Sequence, residues 1–364
     1  MKVVSLKFSD FRNLKDNIIY PGEDINIIYG DNAQGKTNLL EAIWMFSGGH
    51  SFRGAKENEL TKFGSKTSKI EMNFFSQERE QKASIMFSGN KRRVEINSVL
   101  KPSSAYLSQC FAAVVFSPEH LALVKNGPSL RRKFIDGAIC QQNIKFAVLL
   151  SKFNKTLFQR NALLKEMYKH PELKDTLCIW DDSIIAVATE IVYKRIEYIN
   201  KLNIIAAEYH KGISSGKEEF SIDYVSNAGI LLTDGKKEIQ EKLYFAFEKY
   251  IKEDIKLACT NCGPHRDDLE FYINGMKAKN FGSQGQQRSI VLSLKLAEAK
   301  MLKDYFSESP VVLLDDVLSE IDRSRQEFLL ENTRGCQTFI TGCEPPLKQG
   351  ESIKIFTIEK GEVK

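Results

Sequence analysis

The sequence predicts an α/β fold, a mixed sheet carried by two separated segments with a helical arm inserted between them. Three observations predict it. An apolar strand at Ile25–Tyr29 runs straight into a glycine-bounded loop and then a helix. Apolar residues next recur on a helical period through residues 140–212. Far downstream a second apolar strand, Val311–Leu314, ends in two acids.

Each element follows from its pattern. Residues 3–8 open the chain as a strand, with Val4, Leu6 and Phe8 on one face and Ser5 and Lys7 on the other, the alternation of a half-buried strand. From Lys36 to about Phe46 the pattern is helical and offers Leu39, Leu40, Ile43 and Met45 to a core. Residues 70–75, 83–87 and 93–96 read as a meander whose last hairpin turns at Gly89-Asn90. Phe146, Leu150, Phe153, Leu157, Leu164 and Met167 place one long helix. Pro171 ends it, having no backbone N–H to continue the ladder. After Asp181-Asp182-Ser183, Ile185, Ala188, Val192, Ile196, Ile199 and Leu202 place a second helix, closing at Lys211-Gly212. Two helices of ~25 residues would be about 35–40 Å long; periodicity leaves open whether they project or pack down. The final third returns to α/β. It has a strand at 269–273, an Asn274-Gly275 hairpin turn, an amphipathic helix over 286–302, and strands near 339–340 and 353–358. The segments are therefore an N-terminal lobe (1–139), a helical arm (140–212) and a C-terminal lobe (213–364).

Composition narrows the class. With 364 residues, 42% hydrophobic and 27% charged, the chain can bury a core without disulfides or metals. Seven cysteines, odd in number and scattered, fit a reducing compartment. No apolar run nears the ~20 residues of a membrane span, and no secretory signal opens the sequence. We expect a cytoplasmic protein with no membrane partner. A net charge of +5 does not by itself announce a nucleic-acid binder.

The chemistry lies in the loops. Gly30-Asp31-Asn32-Ala33-Gln34-Gly35-Lys36-Thr37 matches G-x-x-x-x-G-K-[ST] between a strand and a helix, with Asn38 continuing into the first turn. Gly30 and Gly35 let the backbone curl so that successive N–H groups cradle phosphate oxygens, and the helix N-terminus adds positive potential there. Lys36 is expected to grip the β- and γ-phosphates of ATP, and Thr37 to offer its hydroxyl to Mg²⁺. Downstream, Asp315 ends the buried strand as the expected Mg²⁺-associated carboxylate. Asp316 follows as the expected general base toward the attacking water. Catalysis is thus assigned to Lys36 and Asp316.

Phe281-Gly282-Ser283-Gln284-Gly285-Gln286-Gln287-Arg288 opens a long helix that leads towards the acidic strand. Its Ser-x-Gly-Gln loop resembles the signature sequence of ABC-type ATPase heads. The resemblance implies that Ser283, Gly285 and Gln286 complete the ATP site of a second copy. Each ATP would lie between Lys36 of one protomer and Ser283 of its partner, with Mg²⁺ as cofactor. Ser319-Glu320-Ile321-Asp322 resembles the loop that crosses that interface, which adds Asp322 to the nucleotide-binding set.

A wide gap between P-loop and signature, filled by a helical insertion, resembles the SMC group rather than transporters. The short arm points to the RecF family of bacterial recombination mediators. Phe11-Arg12-Asn13, the block from Asn32 to Ala42, Ser51-Phe52-Arg53, Phe116-Ser117-Pro118-Glu119, Gly263-Pro264-His265-Arg266-Asp267-Asp268 and Gln284-Gly285-Gln286-Gln287-Arg288 are similar to that family's blocks, in the same order. The resemblance implies an ATP-bridged homodimer that binds double-stranded DNA near gapped junctions at the nucleoid. It would act with RecR and RecO to load RecA in repair, replication restart and the SOS response, with weak, DNA-stimulated ATP turnover as a switch. Arg12 would reach the nucleotide phosphates and Arg53 the DNA. Two departures stand. The switch histidine of transporter heads is missing, with Thr341 near its place, and no Q-loop residue is assigned.

Competing signals are weaker. Cys259, Cys262 and His265 lack a fourth ligand nearby for structural zinc. Lys91-Arg92-Arg93 and Arg131-Arg132-Lys133 are either solvated faces or phosphate contacts. The alternative functions are an SMC-like structural DNA tether and a metabolic ATPase indifferent to DNA.

Overall fold

The computed structural model describes residues 1–167, 169–343 and 353–364. The chain divides into two compact units, one of residues 1–121 and 288–364 and one of residues 122–287. This differs from the three segments drawn above. The inserted unit begins before the arm and continues past it through the signature loop, because strands and a helix beyond residue 212 pack on the arm.

In the first unit β1 (Lys2–Ser9), β2 (Asn17–Ile19) and β3 (Ile25–Tyr29) lead to α1 (Lys36–Trp44). The meander follows as β4 (Thr67–Ser76), β5 (Arg79–Ser88), β6 (Lys91–Ile96) and β7 (Val99–Lys101), and then β8 (Ala113–Phe116). The expected face of β1 is corrected. Its pairing with β4 shifts register between Val3 and Ser5, so Val3, Leu6 and Phe8 are buried while Val4 is 43% exposed. A bulge of this kind moves one residue out of the alternation.

The second unit holds α2 (Ala122–Lys125), α3 (Pro128–Gln142), α4 (Ile144–Glu166), α5 (Leu177–Ile213), β9 (Phe220–Val225), α6 (Lys236–Leu257), β10 (Asp268–Ile273), β11 (Met276–Lys277) and α7 (Ala278–Phe281). The helix α8 (Gln284–Phe306) starts here. The Asn274-Gly275 turn has positive φ at both residues, as a type I′ hairpin requires. The second arm helix starts earlier than expected. Asp181 and Asp182 lie inside α5, and Asp181 accepts from Nε of the fully buried Arg160 at 2.6 Å. Arg160 also donates to Asp254 and to the Thr260 hydroxyl, each at 2.7 Å. The basic run at 131–133 is likewise structural at its first position. Arg131 is buried, forked onto both oxygens of Asp268, and donates to the Leu123 and Asn126 carbonyls.

The chain returns to the first unit with β12 (Val311–Leu314), α9 (Val317–Glu320), α10 (Arg323–Asn332), β13 (Thr338–Gly342), β14 (Ile353–Glu359) and β15 (Glu362–Val363). Its two six-stranded sheets run β2-β1-β4-β5-β6-β7, all antiparallel, and β15-β14-β3-β13-β12-β8, parallel except for β15. They share one apolar core that includes Leu6, Phe8, Ile28, Leu39, Ile85 and Phe339. Among the described residues no disulfide joins the seven cysteines, and no helix is long and apolar enough to cross a membrane.

Candidate nucleotide site

In the parallel sheet β3 and β12 both pair with β13, and β12 also pairs with β8. The carboxyl ends of all four strands therefore share one edge, where ligands of such sheets bind. That edge gathers the loop after β3, the acids after β12, Thr341 of β13 and Ser117 to Glu119 after β8.

The loop's shape requires its two glycines. Gly30 has φ +155°, and a Cβ there would lie 2.3 Å from the Ile358 carbonyl oxygen. Gly35, at φ +119°, would press a Cβ to 2.8 Å from Asn13 Oδ1. Asn13 itself braces the loop, donating to the Ala33 carbonyl at 3.3 Å and accepting from Asn38 Nδ2 at 2.7 Å. Gln34 is held from the far side, its carbonyl accepting from the Gly361 N–H at 3.1 Å. Lys36 is buried. Its Nζ donates to the Gly30 carbonyl at 2.6 Å and lies 3.6 Å from Cys343 Sγ. Phosphate oxygens are stronger partners for an ammonium than these neutral groups.

Thr37, in the first turn of α1, donates its hydroxyl to Asp315 Oδ1 at 2.9 Å. Burial pushes the Asp315 carboxyl up, opposed by hydrogen bonds from Thr37 and Thr341 and by the charge of Arg53, and reinforced by Asp316. A buried carboxylate beside a hydroxyl is the hard-oxygen pair that suits Mg²⁺. Asp316 has φ +51°, a left-handed conformation that aspartate tolerates better than most residues. Its backbone N–H donates to Thr341 Oγ1 at 2.8 Å, and that hydroxyl is 3.1 Å from Asp315 Oδ1 and 3.3 Å from Asp316 Oδ1.

The sequence marks Thr341 only as lying near the place of the missing switch histidine. Its bridging role depends on the strand order, which puts β13 between the two motif strands. Thr341→Val keeps the shape and removes the hydroxyl. We expect single-turnover ATP hydrolysis about tenfold slower, the worth of one positioning hydrogen bond of ~1–1.5 kcal/mol, with ATP affinity changed less than about threefold. An unchanged hydrolysis rate would refute this role.

Arg12 and Arg53 both lie at this edge. Arg12 forks onto the fully buried Glu41 through Nε at 2.8 Å and Nη2 at 3.0 Å, and donates from Nη1 to the Glu59 carbonyl at 3.1 Å. Ser51 also donates to Glu41. Arg53 is more open. Its Nη1 donates to Asn38 Oδ1 at 3.2 Å and its Nε is 4.0 Å from Glu119. The structure thus sets Arg53 at the rim of the phosphate loop, where its charge reaches Asp315.

Asp322 caps α10, accepting from the Arg325 N–H at 3.1 Å. Its carboxyl is held below the usual range by that bond and by the Arg325 side chain. Ser283, Gly285 and Gln286 belong to the second unit. There Ser283 and Gln286 cap each other at the start of α8, Gln286 N–H to Ser283 Oγ at 3.2 Å and Ser283 N–H to Gln286 Oε1 at 2.8 Å. In the block 263–268, Pro264, His265 and Asp267 have hydrogen-bond partners inside the second unit. Asp267 accepts from Tyr224 and its carboxyl is pushed up to about 6 by burial. His265 Nε2 lies 3.0 Å from the Thr260 carbonyl, and burial lowers its ring to about 4.

Residues 2–362 match the family model of the RecF/RecN/SMC N terminal domain. The chain is 39% identical to the DNA replication and repair protein RecF of Lachnoclostridium phytofermentans over 100% of this chain and 99% of that one. It is 40% identical to the RecF of Acetivibrio thermocellus over 94% and 93% of the two chains. Two solved structures of the recombination mediator protein RecF in the RecFOR pathway are 35% identical to it. The one with ATP has a TM-score of 0.94 and covers 100% of this chain and 97% of that one. The one with ATPrS has 0.93, over 99% and 97%. An Smc head domain bound to the C-terminal domain of ScpA, derived from Pyrococcus furiosus, shares the fold alone, with a TM-score of 0.55 at 14% identity.

Proposed function

Because the chain belongs to the RecF family of DNA replication and repair proteins and has its SMC-like ABC ATPase head, we propose that it is an ATP-dependent, DNA-binding recombination mediator. The observation that carries the nucleotide part is the Thr37 to Asp315 hydrogen bond, which joins P-loop and acidic strand across 278 residues of sequence. The solved structure of a relative with ATP, matched over 100% of this chain, supports the ligand.

In this reading residues 30–38 bind one ATP, with Lys36 on the β- and γ-phosphates. Thr37 and Asp315 would hold Mg²⁺, which when bound supplies Lewis-acid charge at the phosphates. Asp316 takes the proton of the attacking water, its backbone fixed by Thr341. Arg12 is oriented by Glu41 and keeps two N–H groups beyond its three hydrogen bonds for a phosphate oxygen. Ser283, Gly285 and Gln286 of a second copy close the site, with Asp322 near the same interface. Two ATP molecules thus bridge a homodimer.

The dimer would bind duplex DNA at gapped junctions and, with RecR and RecO, promote RecA loading in repair, replication restart and the SOS response. The protein would work in the cytoplasm, at the nucleoid. ATP turnover would be weak, since an aspartate stands where most such heads have glutamate and no switch histidine follows, and DNA would stimulate it.

Sedimentation and gel shift with a gapped duplex, with and without ATP, test this together. ATP should convert monomer to dimer, and only the dimer should retard the gapped duplex. Ser283→Arg should bind ATP normally yet stay monomeric; an ATP dimer of that variant refutes the shared site. A structural tether would instead hold DNA without turnover, and a metabolic ATPase would ignore DNA.

A further inference from the structure

In the last turn of α5, at the base of the arm, His210 is fully buried and stacks on Phe220, ring centroids 5.2 Å apart. Its Nε2 is 2.9 Å from Glu218 Oε2. Glu218 lies in the loop between α5 and β9, and its other oxygen, Oε1, accepts from Gln286 Nε2 at 2.9 Å. Gln286 then turns its amide oxygen to the Ser283 N–H at 2.8 Å. All four residues belong to the second unit.

The chemistry gives this relay a direction. An ionised carboxylate only accepts, so Glu218 fixes which way the Gln286 amide faces. The amide NH2 must turn to Glu218, which leaves the amide oxygen for Ser283. Flipped, the amide would aim a donor at a donor, and the reciprocal cap on α8 would open. With the cap closed, Ser283 Oγ accepts from the Gln286 N–H. Its own hydrogen is then left to donate to an anion at the helix N-terminus.

We propose that Glu218 is a positioning residue for the signature loop, presetting Ser283 for the partner's ATP and tying that loop through His210 to the base of the arm. The inference rests on the reading of residues 283–286 as the loop that closes the partner's site. Glu218 itself touches no nucleotide.

The test measures the ATP-dependent dimer dissociation constant by sedimentation, beside ATP binding to the monomer. Glu218→Ala should weaken the dimer about tenfold for each of its two signature loops, the scale of a lost cap, with monomer affinity for ATP unchanged. Glu218→Gln keeps a carbonyl oxygen for the Gln286 amide NH2 and turns its own NH2 to His210 Nε2, so it should dimerise within about threefold of the parent. Rescue by this conservative variant is a readout general destabilisation would not give. The proposal is overturned if folded Glu218→Ala dimerises like the parent, or if Glu218→Gln loses the dimer as fully as Glu218→Ala. A parent that stays monomeric with ATP would instead overturn the shared site, and the relay with it.

Discussion

Lys36→Ala should abolish ATP binding while leaving a folded chain. The side chain is buried in the mouth of the loop, and in the proposed reading its ammonium is the charge that meets the triphosphate. Removing one partner of a desolvated charge pair costs ~3–5 kcal/mol, which is at least a hundredfold in affinity. Folding should survive, because the lysine's hydrogen bonds go to the Gly30 and Asp31 carbonyls of its own loop, and the loop's shape is held separately by Asn13, Gly361 and the two glycines. Calorimetric titration with ATP, beside a thermal melt, checks both halves. Micromolar ATP binding by this variant would sink the assigned role of Lys36. Without ATP the variant should also fail to dimerise or retard gapped DNA.

Asp316→Asn should do the reverse, giving ATP dimers that form normally and persist. Asparagine keeps the side chain's size and tolerates left-handed backbone, so the φ +51° turn and the bond from its N–H to Thr341 should remain. What is lost, in the proposed reading, is the base. General-base catalysis is worth about 10²–10⁴ in rate, so single-turnover hydrolysis should fall by that factor while ATP affinity changes little. A variant that hydrolyses at the parental rate would remove Asp316 from catalysis and leave the water to another group at this edge.

Much of this site was legible because its chemistry allows few substitutes. A phosphate-type loop needs glycines at fixed spacing, and an acid that ends a buried strand stands out, so Gly30, Gly35, Lys36, Thr37 and Asp315, which the structure brings to one edge, could be picked out from the sequence. The hairpin at Asn274-Gly275 was equally plain, since two consecutive positive φ angles exclude most residues. What stayed hidden depends on partners distant in sequence. Asp181 reads as a helix boundary until Arg160 is seen to claim it from inside α5. Arg131 reads as surface charge until Asp268 neutralises it. The helix α6 escaped because exposed Tyr244, Phe245 and Leu257 blur the stripe of Ile239, Leu243, Ala246 and Phe247 that it buries. Glu218 has no motif at all, and only geometry connects it to Ser283.

The strand that leads into the phosphate loop lies between β13 and β14, and both come from far down the chain. During synthesis β3 therefore emerges with neither edge covered, a short apolar template open to stray pairing. It stays so until residues 338–359 have left the ribosome. Contacts this remote also form slowly, which lengthens the exposure. A product cut short before β13 would carry every residue of the cradle but neither strand that flanks β3, and should grip triphosphate poorly.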